Sequence, residues 1–227
     1  MSDSLDIFAK VLDALDDAHV ISSVILIGGW AQYLYRIYFN DPPELSALRT
    51  VDVDLLFSRP PKISSSIPLE PIFERIGLHR SFNLDGSTKF VSREGEVEFL
   101  IPDRGKGDEH AYPIHRLGIT AQSLRFLNML TYDTIEVKFG AHNVYLPDPI
   151  RFCFNKLIVS ERRISMVKQE KDLRTAIELA QLLHRLPEWR CKVSSRYNEL
   201  PPKQKACVIR LLQKANNPLC EDLASSF

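Results

Sequence analysis

The chain has 227 residues, 44% of them apolar and 26% charged, enough to bury one sizeable core or two smaller ones without disulfide or metal staples, which excludes a disordered or fibrous protein. Lys plus Arg and Asp plus Glu both number 29, so the zero net charge offers no overall attraction to nucleic acid, an anionic membrane or a cationic partner. Residues 1–57 carry 3 basic and 9 acidic groups and residues 151–227 carry 15 and 8; the acidic front suits a cation site, and the basic back suits either a polyanion-facing surface or a solvated basic helix face.

Leu5, Phe8, Leu12 and Leu15 recur at three- and four-residue steps with Asp residues mostly elsewhere, which predicts an amphipathic helix over 3–18. The continuous apolar run from Val20 to Ile27 predicts a buried strand. It ends at Gly28-Gly29, and helical spacing resumes from Trp30 to Phe39, where Trp30, Tyr33, Tyr35 and Tyr38 are read as packing residues. After a loop over 40–49, Thr50 to Phe57 reads as a strand with Val51, Val53, Leu55 and Phe57 in the core. A short helix over Pro68–Ile76 follows, then strands near Arg80–Leu84, Lys89–Arg93 and Glu96–Ile101, with turns at Asp85-Gly86 and Glu94-Gly95.

Residues 103–118, with Gly105 and Gly107, read as a loop leading to a brief extended piece. A mixed region from Thr120 leads to strands over Thr134–Phe139 and Val144–Leu146. Past Pro147-Asp148-Pro149 the pattern turns helical, over Ile150–Ser160 and Lys168–Leu186, and Pro187 and Pro201-Pro202 split the remainder into two more helices. The expected organisation is an α/β domain over 1–148 and a helical domain over 149–227.

Cys153, Cys191, Cys207 and Cys220 lie 38, 16 and 13 residues apart with no CxxC pair, which argues against structural zinc or a disulfide framework and predicts reduced, mostly buried thiols. The acidic N-terminus lacks a signal pattern, and no apolar run approaches the roughly 18 residues that span a bilayer. A cytoplasmic protein without a membrane partner is expected. The histidines have no motif partner and are read as surface or structural.

Chemistry concentrates in Thr50-Val-Asp-Val-Asp-Leu-Leu-Phe. Side chains two apart on a strand share a face, so Asp52 and Asp54 project together, with Cα atoms roughly 6.5–7 Å apart. Such like charges repel, and a divalent cation offsets the repulsion; Mg²⁺ takes hard oxygen ligands, commonly one or two carboxylates plus phosphate oxygens and water. The plain alternative is an exposed acidic strand face. Upstream, Gly28-Gly29 falls between a buried strand and a helix, where glycine permits close backbone approach and the helix start offers N–H groups to a phosphate. Glu96 and Glu98 share a face of a later strand, and Glu98 can join the aspartates if the two strands are neighbours.

Leu26-Ile27-Gly28-Gly29, then Asp52-Val53-Asp54-Leu55, then Glu98-Phe99, in this order, resemble the nucleotidyltransferase superfamily that includes polymerase-β-like enzymes and bacterial transferases related to AbiEii-type toxins. The segment from Pro147 through Lys156-Leu157 and Arg163 to Lys171-Asp172-Leu173 is similar to the helical part of a bacterial family of that fold. The resemblance covers about residues 20–186. It implies an α/β nucleotidyltransferase fold, a mixed sheet flanked by helices and followed by a helical domain.

By the resemblance, the chain transfers a nucleoside monophosphate from an NTP to an acceptor hydroxyl on a protein, a tRNA or a small molecule, with Mg²⁺ or Mn²⁺ as cofactor. Asp52, Asp54 and Glu98 are then metal ligands and catalytic residues: Asp52 and Asp54 hold an ion that grips the triphosphate, Asp54 with Glu98 can hold a second at the α-phosphate, and Glu98 can also take the hydroxyl proton. Gly28 and Gly29 donate backbone N–H groups to the phosphates, and Lys156 and Lys171 neutralise phosphate charge. From the residues alone, Lys156 can equally be an exposed helix lysine, and Lys171-Asp172 a surface ion pair. Some such relatives act as toxins. The alternative function is a catalytically degenerate member of the fold that binds nucleotide, nucleic acid or protein.

Overall fold

The computed structural model describes residues 2–46, 50–64, 66–105 and 111–224. Gly107 and His110, in the expected 103–118 loop, and the end of the 40–49 loop lie outside the described residues. The chain forms two compact units, one of Met1–Leu34 and Leu48–Pro147, the other of Tyr35–Ala47 and Asp148–Phe227.

In the first unit, helix α1 (Ser2–Asp17) buries Phe8, Val11, Leu12 and Leu15 along one stripe and exposes Asp13 and Asp16. The strand expected from Val20 is shorter: β1 covers Val24–Ile27, because the Ser23 N–H donates to the Val20 carbonyl at 2.7 Å and closes a 3-10 turn first. Helix α2 (Gly28–Tyr38) starts directly at the glycine pair. Strand β2 (Val53–Phe57) begins three residues later than expected. Its ladder with β1 ends at Ile27↔Asp54, where β1 gives way to Gly28, so residues 50–52 have no β1 partner and Val51 is 43% exposed instead of joining the core.

Helix α3 (Glu70–Arg75) precedes β3 (His79–Phe82), β4 (Thr88–Val91) and β5 (Glu96–Pro102). Strands β6 (Tyr112–Ile114) and β7 (Ile119–Leu124) follow, then β8 (Ile135–Phe139) and β9 (His142–Leu146), a separate hairpin. Strand β7 falls in the stretch read only as mixed, since it buries just Ile119 and Ala121. The main sheet is mixed, in the order β1-β2-β5-β4-β3, with β2 and β5 parallel. The first half of β5 pairs with β4 and its last residues with β7.

Alternation along these strands sorts the side chains onto two faces. Phe57, Phe90 and Phe99 go to one, where Phe73 of α3 stacks on Phe90 with ring centroids 4.6 Å apart and meets Phe99 at 6.1 Å. Asp54, Glu98 and Lys89 therefore go to the other.

The second unit holds α4 (Pro149–Ser160), α5 (Met166–Arg185), α6 (Pro187–Asn198), α7 (Pro202–Lys214) and α8 (Leu219–Ala224). Asp148 caps α4, its side chain accepting from the N–H groups of Ile150 and Arg151 at 2.9 and 3.0 Å, and Pro149 occupies a position whose missing N–H costs nothing. The short segment Tyr35–Ala47 joins this unit through Tyr35 against Phe152, Ser46 donating to Glu178 at 2.7 Å, and a Glu44–Arg185 ion pair. Helix α8 was not expected; its six residues are too few to show a period, yet Leu219 and Leu223 are fully buried. All four cysteines are free; Cys153 and Cys207 are buried, Cys220 is half-buried and Cys191 exposed. Among the described residues no helix is long and apolar enough to cross a membrane.

Candidate functional site

Strands β2 and β5 run parallel in the register Val53↔Val97, Asp54↔Glu98, Leu55↔Phe99. Neighbouring strands lie about 4.8 Å apart, and register partners in a parallel pair project on the same face. Asp54 and Glu98, two of the three expected acids, are thus neighbours on the central strands, both half-buried. On the same face beyond them, Leu56 and Leu100 are buried, so the acidic pair stands at the edge of a packed region. Asp52 lies one pleat before Asp54, outside the strand and exposed.

The glycine pair closes the other side. Gly28 has φ +68°, and a Cβ built on it would fall 1.9 Å from Asp54 Oδ2. A Cβ on Gly29 would fall 2.6 Å from Thr50 Oγ1. The backbone at the start of α2 therefore lies directly against the Asp54 carboxylate, a closeness that any side chain at position 28 would prevent. Trp30 does not enter this space. It is 2% exposed and stacks on Phe8, with ring centroids 3.9 Å apart and planes 10° from parallel.

Two further residues reach the acidic face. Asn83, at the turn joining β3 to β4, donates from Nδ2 to Glu98 Oε1 at 3.0 Å. Its place is set by its backbone N–H on the Ser87 carbonyl and by Asp85, which accepts from the Ser87 hydroxyl at 2.6 Å. Burial pushes the Asp85 carboxyl up, but these Ser87 bonds and Gln122 outweigh it and hold it below the usual carboxylate value. Lys89 of β4 donates to Glu96 Oε2 at 2.8 Å. The sequence carried only a partial signal for them: Asn83 precedes the Asp85-Gly86 turn and Lys89 alternates with Phe90 in a strand bounded by two turn signals, but which residues they face depends on strand pairing.

In the second unit, Lys156 is committed to an ion-pair cluster. Its Nζ lies 2.6 Å from Asp172 Oδ1, and Arg163 Nε lies 2.8 Å from Asp172 Oδ2. Burial raises the Asp172 carboxyl, yet the two cations together overcome this and keep it below the ordinary value. The alternative of a surface pair between Lys171 and Asp172 does not hold: Asp172 is buried and turned toward Lys156 and Arg163, while Lys171, its chain neighbour, is exposed. His142 and His184 have carboxylate partners, in Asp13 and Asp222, each at 2.7 Å.

Among the described residues no three His, Cys, Asp or Glu side chains form a ready-made metal cage. The donor set nevertheless suits Mg²⁺, which demands hard oxygens and is usually held by one or two carboxylates together with phosphate oxygens of the substrate. Asp54 with Glu98 or Asp52, beside a helix start stripped of side chains by Gly28 and Gly29, has that chemistry.

No curated protein sequence matches the chain. Among solved structures, an antigenic nucleotidyltransferase-like protein from Paracoccidioides brasiliensis is similar over 96% of this chain and 93% of its own, with 14% identity and a TM-score of 0.51. The antibiotic-resistance factor ANT(2'')-Ia aligns over 98% of this chain and 89% of its own, with 13% identity and a TM-score of 0.42. The first of these likenesses supports a nucleotidyltransferase fold for the mixed sheet and its helices. A family model described as Nucleotidyltransferase matches residues 7–196, which takes in the glycine pair, all three acids and both lysines. The chain belongs to that nucleotidyltransferase family.

Proposed function

We propose that the chain transfers a nucleoside monophosphate from an NTP to an acceptor hydroxyl on the face where Asp54 and Glu98 meet the Gly28-Gly29 turn. The single observation that supports this reading is the contact of Gly28 with Asp54 beside the Asp54–Glu98 register pair, since backbone N–H groups at a helix start suit phosphate and carboxylates suit a cation. Phosphoryl-type transfer leaves the protein little covalent work, so positioning and charge neutralisation account for most of the catalysis.

In this reading the acceptor oxygen attacks the α-phosphorus, the bond to the bridging α–β oxygen breaks and pyrophosphate leaves. The hydroxyl proton passes to the Glu98 carboxylate, whose other oxygen is held in place by Asn83. Asp52 and Asp54, with Glu98, would hold Mg²⁺ or Mn²⁺. The bound ion would neutralise the triphosphate and the charge that develops on the leaving oxygen. Gly28 and Gly29 donate N–H groups to the terminal phosphates. The acceptor is a protein, a tRNA or a small molecule.

The test is incubation with each of the four α-labelled NTPs and Mg²⁺ or Mn²⁺, against protein, tRNA and small-molecule acceptors. Label transfer by the wild type and its loss in Asp54→Asn are expected; equal, negligible NTP binding by both would overturn the proposal.

A second reading has its own support. Glu98 and Glu96 already have partners within the chain, in Asn83 and Lys89, as suits a fold retained for binding alone. That reading requires the double variant Asp52→Asn, Asp54→Asn to bind nucleotide or nucleic acid as the wild type does.

A further inference from the structure

Lys89 is the register partner of Glu98 across the antiparallel β4–β5 pair. Directly opposed residues in such a pair project on one face, with Cβ atoms about 4.5–5.5 Å apart. Asp54, Glu98 and Lys89 therefore form a straight row over three adjacent strands, β2, β5 and β4. The row carries a carboxylate, a carboxylate and an ammonium in that order.

The ammonium is held there. Its Nζ lies 2.8 Å from Glu96 Oε2, and the side chain is 23% exposed. The bond to Glu96 raises the Lys89 pKa above its ordinary value, partly opposed by burial, and the charges of Glu98 and Asp52 act in the same direction as Glu96. Lysine has three donors and no acceptor when charged, so it cannot ligate a metal ion and repels one. Glu98 is thus flanked unequally: Asp54 and the bare Gly28 stand on one side, a fixed positive charge on the other, and Asn83 occupies Oε1.

Resting on the reading of this face as a metal-nucleotide site, we infer that Lys89 is a resident cation that takes the place of a second divalent ion, so that the face holds a single Mg²⁺ or Mn²⁺, beside Asp54.

The experiment is a titration of the full chain with Mn²⁺ alone, following free Mn²⁺ by electron paramagnetic resonance, in the wild type, Lys89→Met, Lys89→Arg and Asp54→Asn. One ion per chain is expected for the wild type and Lys89→Arg. Lys89→Met is expected to take a second ion, or to bind the first at least tenfold more tightly, and Asp54→Asn to lose binding. Two ions on the wild type, a result that needs no variant to fold, overturn the inference. So does a Lys89→Met curve that matches the wild type while Asp54→Asn still loses binding, and in both cases the proposed function stands. Wild-type binding that is absent, or unchanged by Asp54→Asn, removes the metal site and the inference together.

Discussion

Asp54 and Glu98 are register partners on parallel neighbouring strands, so the sheet holds two like charges on one face about one strand spacing apart. Like charges held this close repel each other. Asp54→Asn should lower nucleotide transfer by about 10²-fold or more, in the range seen when one charge-stabilising group is removed from an active site. The same change should leave the urea midpoint equal or higher, because one member of a repelling pair is gone. Labelled-NTP transfer and urea denaturation, run on the same preparations, read both effects.

Gly28→Ala should be disproportionately costly for the addition of one methyl group. The positive φ alone disfavours a side chain by about 1–2 kcal/mol, and the new Cβ would collide with the Asp54 carboxylate. Gly86, at φ +81° with nothing within 4 Å of its would-be Cβ, supplies the control. Gly86→Ala should show the conformational cost only, and Gly28→Ala a larger fall in urea midpoint together with lost transfer. Equal falls would mean that Asp54 simply moves aside.

The Lys156–Asp172–Arg163 cluster makes acid sensitivity testable. A carboxyl whose folded pKa is depressed contributes stability above its unfolded value of about 3.9 and loses it as the pH falls through the folded value. Asp172 is such a group, its two cations outweighing the opposing effect of burial. At neutral pH, Asp172→Asn should destabilise the second unit by about 3 kcal/mol, since it strands Lys156 without its partner. Below about pH 4 the gap between wild type and variant should begin to narrow, and it should go on narrowing as the pH falls toward the lower folded value, as urea midpoints from pH 7 to pH 3 would show. A gap that stays constant with pH would assign the loss to packing instead.

Thiol chemistry should separate the four cysteines. Cys191 is exposed, while burial, reinforced by the acceptor Glu161 at 3.1 Å, pushes the Cys207 thiol up to about 12. Burial alone pushes Cys153 up still further. Brief iodoacetamide treatment at pH 8 followed by peptide mapping should find Cys191 modified first, with Cys153 and Cys207 intact until the chain is unfolded. Early modification of Cys207 would contradict the burial described.

Much of this was legible in the order of residues. Helix α1, the Gly28-Gly29 break and the long helices after Pro149 follow from periods and breakers that act locally. The Asp54–Glu98 meeting was conditional on strand pairing, which no local pattern supplies, and the register now places them side by side. Lys89 and Asn83 escaped notice for a related reason. Each has an ordinary surface residue type, and only the β3–β4–β5 pairing shows that both face Glu98. For Asp172 the sequence suggested at most a pair with its chain neighbour Lys171, whereas α4 brings Lys156 to it from sixteen residues away. Long-range partners of this kind are set by packing and leave no periodic trace in the chain.

The acidic segment of β5 is hydrogen-bonded on both flanks, to β2 on one side and to β4 on the other. Its backbone cannot advance on a ligand without breaking two ladders at once, so fit at this site has to come from rotation of the Asp54 and Glu98 side chains and from the Asn83–Ser87 turn that steadies one of them. Under the proposed function, discrimination between cations or phosphates of different size would be a matter of torsions in a stiff frame, and variants that loosen the turn should blur it without disturbing the sheet beneath.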